Sequence, residues 1–263
     1  MTSLYGSKKL PKKVFGEGRL LDVFYETMID LAPAAWELNE AFLAMWDPDA
    51  LEYNWVLPDN FHVNIKVMNQ VKERVHFLNQ PFDVFYKVNM PTAEGRSLSA
   101  NTVHSIDGMI VREITRRCMY DPVQVEYVRQ ALENPQELDY EAPEYGMALT
   151  LLHHYQASGY LSARILDYIT PATARLADKA SILNLIDSLP KKPFTVVSIH
   201  DCFRCLPNYG NDLREQYNLQ LAMIAESDLL SYLISQIINE PVNIGKLHPN
   251  MYQQVMNTNY ALS

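Results

Sequence analysis

Between residues 53 and 90 the hydrophobic period of the chain changes, and this change limits the fold more than any other feature. Before it, Leu20, Phe24, Met28, Leu31, Ala35, Leu38, Phe42 and Met45 recur three or four residues apart, the stripe of an amphipathic helix. Pro33 is expected to kink or divide that helix, and Asp47-Pro48-Asp49 ends it. Within the window, Val63, Ile65 and Val67 alternate with His62, Asn64 and Lys66. Phe82, Val84 and Tyr86 alternate with Asp83, Phe85 and Lys87. A period of two belongs to half-buried strands. Turn signals at Leu57-Pro58-Asp59-Asn60 and Asn79-Gln80-Pro81 predict a small antiparallel set with a projecting hairpin near 63–88.

Helical periods return afterwards. A helix is expected from Asn101 to about Cys118. Asp121 as N-cap and Pro122 at the first helical position start another, which runs to about Leu132. A loop over 133–143 precedes short helices at 145–157, 160–168 and 178–189. Pro193-Phe194-Thr195-Val196-Val197-Ser198-Ile199 reads as a buried strand, with a return strand from Cys202 to Leu206. A long helix over 211–237 and a tail with one or two helical turns complete the chain. The fold class is α+β, mostly helical, with a small antiparallel sheet and a projecting β-hairpin.

Composition narrows the function. With 48% hydrophobic and 20% charged residues the 263-residue chain is globular, and three cysteines exclude a disulfide scaffold. No apolar run long enough to span a bilayer occurs, and the N-terminus lacks an apolar signal core. A soluble protein of a reducing compartment is expected. The formal net charge of −9 argues mildly against a free-standing nucleic-acid binder.

Three clusters carry candidate chemistry. In Ser198-Ile199-His200-Asp201-Cys202 an apolar strand ends in a carboxylate at a hairpin tip, where two-metal phosphoryl-transfer enzymes need one. Asp201 as a plain turn residue and His200 as a hydrogen-bonded sheet edge fit the dipeptide as well. In Asn101-Thr102-Val103-His104-Ser105-Ile106-Asp107-Gly108, followed by Arg112, polar side chains cluster at a helix entry. Ser105 as a helix cap and Asp107 complementing the dipole are the plainer account. In Leu4-Tyr5-Gly6-Ser7-Lys8 a flat ring stands beside open backbone, which suits a ligand; an unstructured terminus is the alternative. Cys202-x-x-Cys205 suggests zinc or redox chemistry, but zinc needs about four ligands, and positions i and i+3 of a strand face opposite sides. His153 and His154 point in different directions on their helix.

Taken together, the segments resemble the C-terminal part of the single-subunit RNA polymerases of phages and mitochondria. Met1-Thr2-Ser3-Leu4-Tyr5-Gly6-Ser7 is similar to the end of that family's fingers helix. Trp55-Val56-Leu57-Pro58-Asp59-Asn60-Phe61-His62-Val63 is similar to its W-x-x-P-D-x-F-x-V segment. Val103-His104-Ser105-Ile106-Asp107-Gly108 matches V-H-S-x-D-G, and Ile199-His200-Asp201-Cys202-Phe203 matches the palm motif H-D-[S/C]-F. Asn259-Tyr260-Ala261-Leu262-Ser263 resembles the short aromatic C-terminus. The five segments keep the family's order across nearly the whole chain.

The resemblance implies the palm and fingers portion of a right-hand polymerase. Its parts would be the end of the fingers helix and following helices (1–52), strands with a specificity-loop-like hairpin (53–100), a helical fingers/palm region with an insertion (101–190), and the palm catalytic hairpin, long helix and tail (191–263). Asp201 would be the second of two palm aspartates holding two Mg²⁺ ions. Tyr5 would close the nucleotide pocket and sense the ribose 2′-OH, and Gly6 would give the template base room. His104 would contact the template–product helix, with Asp107 as a structural neighbour and His200 bracing the catalytic turn. Lys66, Lys72, Arg74 and Lys87 of the 63–88 hairpin are candidate phosphate contacts; a solvated charged face is the alternative for all four.

The family's first palm aspartate, and the Lys and Arg of its triphosphate-binding helix, precede the tyrosine, and nothing in this sequence replaces them. The expectation is a split polymerase: this chain as the smaller, C-terminal subunit of a heterodimer, with a partner chain supplying those groups and sharing the Mg²⁺ ions. DNA template, RNA product and NTPs would be its ligands. A single-stranded-DNA-binding or promoter-recruiting factor is a further candidate partner. Its location would be the cytoplasm of the infected host cell. The interval from His104 to His200 exceeds that of compact members, so 133–190 is expected as an insertion or an elaborated element. The competing class is a non-catalytic, DNA-binding or scaffolding subunit of a transcription complex.

Overall fold

The computed structural model describes residues 9–93, 95, 97–199 and 202–259. It is α+β, with ten α-helices and three two-stranded antiparallel sheets among those residues. No single helix is long and apolar enough to cross a membrane. The chain falls into two compact units, 1–55 with 63–104, and 56–62 with 105–263.

The first unit opens with α1 (Lys9–Phe15), α2 (Arg19–Leu31) and α3 (Pro33–Ala44). Pro33 divides the long apolar stripe as its chemistry requires: it occupies the first turn of α3, where a missing N–H is harmless. Phe15 stacks on Phe24 at 4.9 Å, and Tyr25 meets Trp36 edge-on at 6.0 Å. Strand β1 (Glu52–Val56) pairs with β2 (His62–Lys66), and β3 (Met68–Phe77) pairs with β4 (Gln80–Asn89).

The expected 63–88 hairpin is therefore two structures. Val67, 4% exposed, sits between β2 and β3. Its N–H donates to Leu51 O at 2.8 Å and its carbonyl accepts from Met90 N at 3.2 Å, so its side chain anchors inward and the strand direction resets. The projecting hairpin is 68–89, and its turn is Leu78-Asn79, one residue earlier than the turn signal suggested. Both residues have positive φ, 50° and 60°, the geometry whose twist matches two-residue hairpins.

In the second unit, α4 (Ser97–Cys118, which begins in the first unit), α5 (Pro122–Glu133), α6 (Tyr145–Ser158) and α7 (Lys179–Asp187) are followed by β5 (Val197–Ile199) and β6 (Cys202–Arg204). The chain then forms α8 (Gly210–Glu226), α9 (Leu229–Ile238) and α10 (Met251–Met256). Asp121 caps α5 by accepting from Val123 N at 2.9 Å, as its position before Pro122 foretold. The largest buried cluster joins Val128, Leu132, Leu151, Ile165, Ile169 and Ile182 with their neighbours. The 133–190 stretch expected as an insertion thus builds the main core of this unit together with α5.

Three other expectations are corrected. Ser105 lies well inside α4, which begins at Ser97, so it is not a cap. The 211–237 helix breaks at Ser227-Asp228 with a 60° bend. There the Ser227 hydroxyl turns back to Ile224 O at 2.9 Å and Asp228 N donates to Ser158 O at 2.7 Å. Gly159, at φ 70°, lets α6 end against this break; a Cβ there would meet Ser227 Cα and Asp228 N at 3.5 Å. The 193–199 strand shrinks to 197–199. Phe194 and Val196 are buried ahead of it, whereas Val197 and Ile199 are half-exposed.

Cys118 packs with Ile110, Ile114, Phe194 and Val196, and burial pushes its thiol up to about 12. In the folded protein at pH 8, Cys118 is expected to resist a thiol reagent while exposed Cys202 reacts, as read by mass spectrometry of labelled peptides. Equal labelling of the two would contradict this packing.

Candidate catalytic and nucleic-acid-binding site

Strands β5 and β6 pair antiparallel, with Val197 opposite Arg204 and Ile199 opposite Cys202. That register leaves a connection of two residues, His200 and Asp201, which lie outside the described residues. Tyr5 and Gly6 lie outside them as well. Behind the hairpin, Phe203 of β6 tilts against Tyr217 of α8 at 5.7 Å, and Phe194 stacks flat on Tyr209 at 4.7 Å. The first pair packs β6 on α8, and the second packs the segment ahead of β5 on the residue before α8 begins.

His104 and Asp107 are both exposed on α4, three residues apart, a spacing that puts them on neighbouring positions of one helix face. One turn further on, the same helix supplies a buried ionic cluster. Asp59, fully buried at the β1–β2 turn, accepts from Arg112 through Nε at 2.6 Å and Nη2 at 3.1 Å, and from Arg116 Nη1 at 3.0 Å. Arg164 Nη1 donates to the Asp59 carbonyl at 2.7 Å. Arg116 also bonds Glu113 at 2.6 Å, and Glu113 accepts from Ala163 N at 2.8 Å and from Ser162 Oγ. The Arg112 guanidinium lies 4.1 Å over the Phe61 ring, a cation–π contact. Burial by itself raises the Asp59 carboxyl, but hydrogen bonds and charge from Arg112, then Arg116, outweigh it and hold the group below the usual carboxylate range.

This cluster joins two of the segments singled out in the sequence. Asp59 and Phe61 belong to the W-x-x-P-D-x-F-x-V segment, and Arg112 follows V-H-S-x-D-G. The sequence reading missed the pairing, together with Glu113, Arg116, Arg117 and Arg164. The available signal was an Asp in a Pro-Asp-Asn turn and arginines at i and i+4 of one helix. Arg117, also fully buried, donates to Gln216 Oε1 at 2.7 Å and to Ser188 Oγ at 2.6 Å. Near the same turn, His154 sits between Tyr232 Oη at 2.9 Å and Asn60 Oδ1 at 3.2 Å. Burial, then the nearby His62 and His153, lowers its pKa, which suits a neutral ring that donates to Asn60 and accepts from Tyr232.

The four hairpin cations separate. Lys66 is on β2 and does not belong to the projecting hairpin. Lys72, Arg74 and Lys87 pair with Phe85, Asp83 and Gln70 respectively, so all three share one face. Asp83 bonds Lys72 at 2.6 Å and Arg74 at 3.1 Å, leaving that face with two net positive charges. Among the described residues no group of three or more His, Cys, Asp and Glu side chains is placed to hold a metal ion; Asp201, named for that role, is outside them.

No protein-family model matches the chain, and no curated protein matches it significantly. A functional reading rests on the motifs and on the geometry they adopt.

Proposed function

We propose that the chain is the palm-and-fingers portion of a DNA-directed RNA polymerase of the phage and mitochondrial single-subunit type, working with a partner polypeptide. The observation that carries this reading is the Asp59–Arg112–Phe61 cluster. Asp59 and Phe61 of the W-x-x-P-D-x-F-x-V segment meet Arg112, four residues past V-H-S-x-D-G, in an ion pair buried on the Asp59 side with a ring beneath the guanidinium. The antiparallel pairing of β5 with β6, on either side of His200-Asp201 in the sequence, adds support.

In this reading the RNA 3′-OH attacks the α-phosphate of an NTP and pyrophosphate leaves. Two Mg²⁺ ions, when bound, lower the pKa of the attacking hydroxyl and stabilise the leaving oxygens. Asp201 would supply one carboxylate, and in this reading the partner would supply the second acid that two divalent ions and a triphosphate need. Tyr5 stands at the sugar of the incoming nucleotide, and His104, exposed on α4, meets the template–product helix. The cationic face of the hairpin contacts phosphates.

The test is sugar selection. With a primed template and the partner present, Tyr5→Phe is expected to extend RNA at nearly the wild-type rate while discriminating less between NTP and dNTP, since the 2′-OH loses a hydrogen-bonding partner. An unchanged ribo-to-deoxy ratio counts against the assignment. The competing reading, a DNA-binding scaffold, requires binding with no nucleotide addition at all.

A further inference from the structure

The cationic side of the β3–β4 hairpin carries a ring at its centre. Phe85 lies directly opposite Lys72, and Gln70–Lys87, Arg74–Asp83 and His76–Pro81 are the other pairs on that side. Same-face neighbours are about 7 Å apart along a strand and about 7–8 Å apart on the diagonal. Lys87 and Arg74 therefore flank Phe85 at that range, and the Lys72 ammonium stands 5.9 Å from the ring centre. Phe85 is 57% exposed. The side chains of Lys72 and Arg74 are 53% and 64% exposed even while they share Asp83, and Lys87 is exposed as well. In a chain of formal net charge −9 this is a local reversal of sign, and its middle is apolar.

We infer that this side binds an unpaired strand of nucleic acid, with one base stacked on Phe85 and Lys72, Arg74 and Lys87 meeting the phosphates around it. The inference rests on the proposed function, which brings template and transcript to the chain, and deepens it by naming the state of the strand that the hairpin holds. Charge complementarity selects a polyanion. The ring then selects among polyanions. The bases of a duplex are stacked on one another and show only their edges in the grooves, so a ring amid cations would meet sugar and phosphate and gain nothing. An unpaired base has a free face, and stacking it on an aromatic side chain strengthens binding on the order of tenfold or more. Gln70, diagonal to the ring, is placed to meet the polar edge of such a base. In an anionic lipid layer the same amide would lie beside a buried ring without a partner. Single-stranded DNA and RNA offer the same chemistry, and the arms of the test separate them.

The full chain, tagged and purified with the polypeptide that accompanies it, is titrated with a labelled DNA single strand, an RNA of the same sequence and the matching DNA duplex, and binding is read by fluorescence anisotropy. Phe85→Ala is expected to weaken binding of a single strand about tenfold and of the duplex less than twofold. The strand that loses affinity identifies the source. Phe85→Leu should behave like Phe85→Ala and Phe85→Trp like wild type, which separates stacking from bulk. Lys87→Ala should lower the slope of log affinity against log salt by about 0.7, and Phe85→Ala should leave that slope unchanged. Phe82→Ala, on the other face of the same strand, should change neither. Melting temperatures of all variants are expected to match wild type. Absence of single-strand binding in wild type, full single-strand affinity in Phe85→Ala, an equal loss for the duplex, or an equal loss in Phe82→Ala overturns the inference. So does a Phe85-dependent affinity found only for phosphatidylserine vesicles. A complex that holds a single strand through Phe85 but adds no nucleotide sinks the polymerase reading alone. One that polymerises while Phe85→Ala keeps wild-type single-strand affinity sinks this inference alone.

Discussion

Asp201→Ala is expected to reduce template-dependent nucleotide addition by a factor of about 10³ or more, with assembly and template binding intact. The size follows from what the carboxylate does in the proposed function. In that reading it is one of two acids that fix the charge opposite the reacting phosphate. Folding should be spared. Phe203 packs β6 against Tyr217 of α8, and Phe194, ahead of β5, stacks on Tyr209. A matched loss of assembly or of melting temperature would assign Asp201 a structural role instead.

Asp59→Asn should have the largest effect on stability. The carboxylate is fully buried and receives three side-chain hydrogen bonds from Arg112 and Arg116, and together with Glu113 it balances their two charges. Removing one partner of a buried ion pair leaves charge without compensation and destabilises by about 3–5 kcal/mol, a fall in melting temperature of roughly 10 °C for a chain of this size. The pH dependence has a definite sign. Because the folded carboxyl is held below its ordinary value of 3.8, its contribution is fully present above about pH 4. It is lost as pH falls from there through the folded pKa. Thermal scans of the wild type should steepen in that acid window, and Asp59→Asn should flatten the same window. An identical acid limb in both proteins would contradict the cluster's weight.

Much of the fold is legible in local chemistry. Pro33 and the Asp121-Pro122 pair act within one helical turn, so their effects on α3 and α5 need no knowledge of the rest of the chain. The alternation over 82–87 is likewise local and marks β4, whereas the alternation over 62–67 belongs to β2 and β3 went unmarked. What escaped depends on distant partners. The break at Ser227-Asp228 exists because Asp228 N finds Ser158 O, 70 residues earlier, whereas the apolar spacing of 211–237 runs straight through it. Val67 looks like one more alternating residue; only its bonds to Leu51 and Met90 reset the strand. The apolar run 193–199 read as a buried strand, yet its apolar residues are inward only as far as Val196, because Val197 and Ile199 lie on the face of β5 opposite the one that Phe203 packs on α8. Of the candidate site, His104 and Asp107 were placed correctly on α4. The cluster centred on Asp59 was not seen, because Pro-Asp-Asn reads as a solvated turn until Arg112, Arg116 and Arg164 arrive from elsewhere.

Single-nucleotide addition tests the central claim most directly. The full chain, alone and with its accompanying polypeptide, is given an RNA primer annealed to template DNA, Mg²⁺ and one labelled NTP. Extension by the templated nucleotide is expected only when both polypeptides are present, and it should disappear with Asp201→Ala. A two-polypeptide complex that binds the primed template yet adds no nucleotide would contradict the account.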